Sequence, residues 1–133
     1  ECAATPAVES KMPVIIATVT KNLAELAFAK SHYGEAEQYF EGLDKLASHM
    51  LDPQTKADAL EWRGLSQEKQ GHYERAIESW KAAATVCAST DLLESKEKNL
   101  RHLERVAAFV GQGDDVARFR RRLDATDPER REP

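Results

Sequence analysis

Two stretches of the chain, SHYGEAEQYF at 31–40 and GHYERAIESW at 71–80, share one frame. His32 and His72, Tyr33 and Tyr73, Ala36 and Ala76, and Phe40 and Trp80 each lie 40 residues apart, and Leu43 and Ala83 continue the register. A looser third copy follows, in which Gly111, Gly113, Val116 and Leu123 correspond to Gly71, Tyr73, Ala76 and Ala83. Arg120 stands there in the place of Phe40 and Trp80, with Phe119 one position earlier. A recurrence of this kind is a packing unit used repeatedly, each copy burying its apolar face on its neighbours, and it restricts the chain to a linear stack of similar units.

The units are helical. Apolar residues recur at three and four positions, no stretch alternates with period two, and strands are not expected. The first twelve residues lack a period and are expected to be a flexible segment. From Pro13, read as the first-turn proline of a helix, Val14, Ile15, Thr18, Val19, Leu23, Leu26 and Ala27 fit about 18 residues. A second helix is expected from about Glu35 to Met50. Asp52 and Pro53 are an N-cap and first-position pair for a third, reaching Gln70, and Gly71 turns the chain into a fourth from about Tyr73 to Cys87. Ser89, Thr90 and Asp91 are expected to cap a fifth helix that runs to Gly111. A short sixth spans about Asp115 to Leu123, and 125–133 read as a flexible tail. The repeat domain is therefore 13–124, with units at about 13–50, 53–88 and 91–123.

With 133 residues, 41% apolar and 32% charged, the chain has the size of one domain and the balance of a helix-rich soluble protein. Apolar runs as short as residues 13–17 predict no membrane span. A net charge of −4, with the basic clusters confined to the last third, argues against nucleic acid as a partner. Cys2 and Cys87 make neither a disulfide framework nor a metal site. The absence of an initial Met suggests a processed or excised form. A cytoplasmic location is expected, with lipid attachment at Cys2 as the alternative.

The pairs Ala36-x3-Phe40 and Ala76-x3-Trp80, with Gly64 and Gly71 in the middle unit, resemble the tetratricopeptide repeat, whose second helix carries a small residue and an aromatic four apart. The resemblance covers about residues 14–123. It implies an all-α, right-handed superhelical stack of three helix-turn-helix pairs, in which the Ala admits a neighbouring helix and the aromatic fills the gap between units. Leu60, Arg63 and Gln67 replace the family's usual Trp, Leu and Tyr, and the period of 40 exceeds the common value of about 34. The extra residues fall between units, as in the long-period forms of kinesin light chains and some bacterial peptide-sensing regulators.

Such a stack presents a concave surface lined by the first helix of each pair. Aligning those helices at intervals of 40 places Lys21, Asn22 and Glu25, then Asp58, Glu61, Trp62 and Leu65, then Lys98, Arg101, His102 and Arg105 on that surface, with Thr18, Phe28, Glu68 and Phe109 alongside. Trp62 turns away from Leu60 and Gly64, so it is expected either as an accessible anchor for a partner or packed on a neighbouring helix. Lys98, Arg101 and Arg105 share one stripe and suit an acidic peptide or a terminal carboxylate. The family's carboxylate clamp has lysines where Lys21 and Lys98 fall, but asparagines where Glu25 and Trp62 fall.

No nucleophile, base or phosphate loop is assembled in the sequence. Cys87 lies on an apolar face, Asp114 and Asp115 open a helix, and GQGD lacks the lysine of a phosphate-binding loop. No catalytic residue, cofactor or metal is expected. The function anticipated is a non-enzymatic scaffold or adaptor that binds a protein or peptide in its groove, and the alternative is a peptide-sensing regulatory domain of a larger protein. With no polar helix evident after Leu123, either the sixth helix is an unusual end cap or an exposed seam on an end helix mediates homodimerisation.

Overall fold

The computed structural model describes residues 6–125, with side chains from residue 12 onward. It is an all-α stack of α1 (Pro6–Ala29), α2 (Tyr33–Met50), α3 (Pro53–Lys69), α4 (Tyr73–Ser89), α5 (Leu93–Val110) and α6 (Gly113–Ala125), each packed on the next. The predicted lipid site at Cys2 and most of the predicted tail lie outside the described residues.

The backbone repeats with the side chains. The five described residues with left-handed φ fall on the 40-residue frame: Ser31, Gly71 and Gly111 turn the chain within the three pairs, and Leu51 and Asp91 turn it between pairs. Glycine adopts this conformation without steric cost, which suits Gly71 and Gly111. His32 and His72 take the same N-cap backbone angles, and their carbonyls accept from Ala36 N and Ala76 N at 2.9 and 3.0 Å.

Two boundaries differ from expectation. The first helix begins at Pro6, and Pro13 lies inside it. Pro13 removes one amide donor, but Ala, Glu, Lys and Met, all good helix formers, dominate the residues before it and carry the helix past that gap. Consequently Met12–Ala29 is long and apolar enough to cross a membrane, with mean hydropathy 1.3, a length that Lys21 and Glu25 conceal when apolar runs are read singly. At α5, Leu92 is the N-cap and makes no side-chain bond. Ser89 Oγ and Thr90 Oγ1 instead donate to Val86 O at 3.0 and 2.7 Å and close α4. Asp52 performs as predicted: it accepts from Thr55 N at 3.2 Å, with Pro53 behind it.

Ala36, Phe40 and Leu43 form one core cluster with Ala17, Ala24, Ala27 and Ala59. Ala76, Ile77 and Trp80 form a second with Leu100, Leu103, Val116 and Phe119. Arg63 and Gln67 serve a partly buried polar junction between pairs. Arg63 Nε donates to Ser79 Oγ at 3.0 Å, Ser79 Oγ donates to Gln67 Oε1 at 2.7 Å, and Gln67 Nε2 donates to Glu37 Oε2 of α2 at 3.0 Å. The four side chains are linked one to the next, so the junction fixes the register of α2, α3 and α4 through directional bonds.

Candidate functional site

The first helices of the three pairs meet at one cavity of about 190 Å³. Lys21 and Glu25 of α1, Asp58, Glu61 and Trp62 of α3, and Lys98 of α5 line it, six residues that the 40-residue alignment had placed on the inner face. Phe40 and Leu43 of α2 and Thr55 add to the walls. These second-helix contributions were missed because Phe40 reads from the sequence only as a core wedge.

Trp62 is both anchor and packing residue. Its ring stacks at 24° on Phe40, centroids 6.2 Å apart, and meets the edge of Phe28 at 5.2 Å, yet 37% of the residue stays exposed. Phe28 in turn meets Tyr33 edge-on at 5.1 Å. An aromatic face held on two sides and open on a third loses little freedom when something packs against it.

Glu61 is the structural centre of the site. It is only 4% exposed; His102 Nε2 lies 2.9 Å from its carboxylate and Lys98 Nζ lies 3.8 Å from it. Its backbone carbonyl accepts from Trp80 Nε1 at 3.1 Å. His102 also stacks on Trp80 at 5.1 Å and 28°. His102 and Glu61, both expected as recognition residues, bind each other within the chain, because a buried carboxylate needs cationic or hydrogen-bonding partners, and Glu61 also lines the cavity.

Asp58 accepts from Gln54 Nε2 at 3.0 Å. Burial raises its carboxyl above the ordinary range, opposed by that hydrogen bond, reinforced by Glu61 and opposed again by Lys98 and Lys21. Burial likewise pushes the Cys87 thiol up to about 11, with Asp58 and Glu61 adding to the shift. At neutral pH the Cys87 thiol is therefore protonated, buried and poorly nucleophilic.

The basic stripe is largely neutralised within the chain. Arg105 makes a two-pronged contact with both oxygens of Glu68, which raises its pKa further, and its guanidinium lies 5.9 Å from the centroid of Trp80. Lys98 faces Glu61. Arg101 alone of the three makes no ion pair among the described residues; it is exposed and borders a shallow depression with Leu93, Glu94, Glu97 and Lys98. Asn22 is exposed and lies outside the cavity, and Leu65 is half-buried against the second core cluster. Phe109, 73% exposed, meets Tyr73 edge-on at 5.3 Å, away from the cavity.

No protein-family model matches the chain, and no curated protein or solved structure matches it either.

Proposed function

We propose that this chain is a protein-interaction module, a non-enzymatic scaffold or adaptor of tetratricopeptide-like build, which takes an extended segment of a partner into the cavity between α1, α3 and α5. The observation that carries this reading is the convergence of three first helices on one cavity whose wall is the half-open ring of Trp62. Rigid, partly exposed aromatics in a polar rim are the usual anchors of binding.

The cavity chemistry narrows the partner. Glu25, Asp58 and Glu61 outnumber Lys21 and Lys98, and Lys98 is already turned toward Glu61. This balance favours a segment that sets an apolar or aromatic side chain on Trp62 and a cationic group beside the carboxylates. An acidic partner, the expectation from the basic stripe, is left with Arg101 as the stripe's unpaired cation among the described residues.

Selection of a random peptide library on the immobilised protein tests this. Enriched peptides are expected to pair an aromatic or aliphatic residue with Lys or Arg and to lose about 30-fold in affinity on Trp62→Ala, the loss typical of a binding hot spot. Peptides that bind Trp62→Ala as well as the parent would remove the cavity from the proposal. Acidic peptides abolished by Arg101→Glu would reinstate the acidic partner.

A further inference from the structure

One face of α1 is apolar and open. Met12, Ile16, Val19, Leu23 and Leu26 follow one another at spacings of four, three, four and three, with Ile15 beside them, and each is between 42% and 54% exposed. That is the spacing of the seam residues of paired helices, sustained over two heptads. Lys21 and Glu25 lie elsewhere on the helix, in the cavity, so the seam carries no charge.

The repeat says what this face is built to receive. Forty residues on, Ile16, Val19 and Leu23 correspond to Lys56, Ala59 and Arg63, and these face α2: Lys56 Nζ lies 2.6 Å from Asp44, and Ala59 shares a core cluster with Phe40 and Leu43. Another forty on, their counterparts Lys96, Asn99 and Leu103 in α5 are at most 2% exposed. In the middle unit the face is covered by α2, the helix before it, and in the third unit Lys96 reaches Asp124 of α6 at 3.6 Å while Leu103 packs in the cluster that α4 and α6 share. In α1 the same face is open and more apolar than either counterpart.

We infer that the α1 seam pairs with the α1 seam of a second copy of this chain, the two helices antiparallel and Val19 on the two-fold axis, so that Met12 meets Leu26 and Ile16 meets Leu23. A symmetric pairing sets apolar on apolar. The head-to-tail alternative sets the seam on the outer side of α6, where Arg118, Arg121 and Arg122 are exposed, and lays apolar side chains on charged ones. Residues 1–5 and 126–133 contain no large apolar side chain that matches the seam. Six half-exposed side chains per copy, with the surface around them, bring two copies to roughly the 1,200 Å² at the small end of specific interfaces. An anionic membrane is disfavoured by the net charge of −4.

Sedimentation equilibrium from about 1 to 100 μM, the range in which a small interface assembles, tests the pairing. The parent protein is expected to rise to twice the chain mass, and Val19→Glu and Leu23→Lys to remain at one chain mass with unchanged helicity. In a Cys2→Ser background, Val19→Cys is expected to form a disulfide-linked dimer under mild oxidation, and Thr18→Cys, one position off the seam, is not. A parent that stays monomeric overturns the inference, as does a dimer that survives Val19→Glu or fails to cross-link through Val19→Cys. Flotation with phosphatidylcholine vesicles that is lost in Val19→Glu, from a monomeric parent, would assign the seam to a lipid surface instead. Peptide binding in the cavity is read separately through Trp62→Ala, so either result stands without the other.

Discussion

The middle and third helix pairs solve one packing problem with opposite chemistry. In the middle pair Trp80, fully buried, lies across Gly64, where an added Cβ would come within 2.8 Å of Trp80 Cδ1. Forty residues on, Gly64 becomes Glu104, Ala57 becomes Glu97 and Trp80 becomes Arg120. Arg120 Nε donates to Glu104 at 2.8 Å, and its terminal nitrogens donate to Glu97 at 3.2 Å, bonds that hold the guanidinium charged. The first pair follows the middle one, with Ala17, Ala24 and Phe40 at these positions. Three positions thus change together. An aromatic needs small residues beneath it, whereas a guanidinium at the end of the stack, where water reaches it, needs carboxylates. The lesson is that Arg120 is no defect in the repeat but the form that the wedge takes when no further helix covers it among the described residues.

The contrast is breakable at both ends. Trp80→Ala removes a fully buried ring together with its hydrogen bond to Glu61, and about 4 kcal/mol of stability is expected to be lost in urea unfolding. Gly64→Ala is expected to cost about 2 kcal/mol through overpacking, and Trp80→Leu in the same chain should recover part of that loss. Full additivity of the two changes would show that they do not share a contact.

Alkaline pH should act on the middle pair through Cys87. The unfolded thiol ionises near 9 and the folded one near 11, so the unfolded state sheds its proton first. Stability is accordingly whole below pH 9 and falls as pH rises toward 11. Thermal melts of Cys87→Ala across that window should show a shallower decline than the parent; identical slopes would deny the buried thiol any part in it.

The smallest effect belongs to the third pair. Arg120 is partly exposed, so Arg120→Ala is expected to cost about 1 kcal/mol, shrinking in high salt as screening weakens its bonds to Glu97 and Glu104. A loss as large as that of Trp80→Ala, or one indifferent to salt, would show that the ion pairs are as buried as the indole and would dissolve the distinction between the two pairs.

Much of this architecture was legible because repetition makes a sequence its own control. Tyr33, Ala36 and Phe40 could be matched to Tyr73, Ala76 and Trp80 without knowledge of the fold, and six residues of the cavity followed from the same offset. Pro13 misled because proline suits a helix start and is also survivable within a helix; only the backbone shows that Pro6 holds the first position. The pairing of Glu61 with His102 was not legible, because the helical wheel places a residue on a face but does not say whether a residue 41 positions away will bind it there.

The sequence by itself determined the periodicity, the helix-turn-helix unit and the face of each helix turned inward, because these depend on spacing along one chain and on local backbone preference. Only the tertiary structure decided which charges on that face remain free. Lys98, His102 and Arg105 are drawn to Glu61 and Glu68 of the preceding pair, and Arg101 is not, since pairing depends on the distance between helices. It also decided that the open apolar seam lies at α1 and not beyond α6: burial belongs to the stack as a whole, and no single helix carries that information.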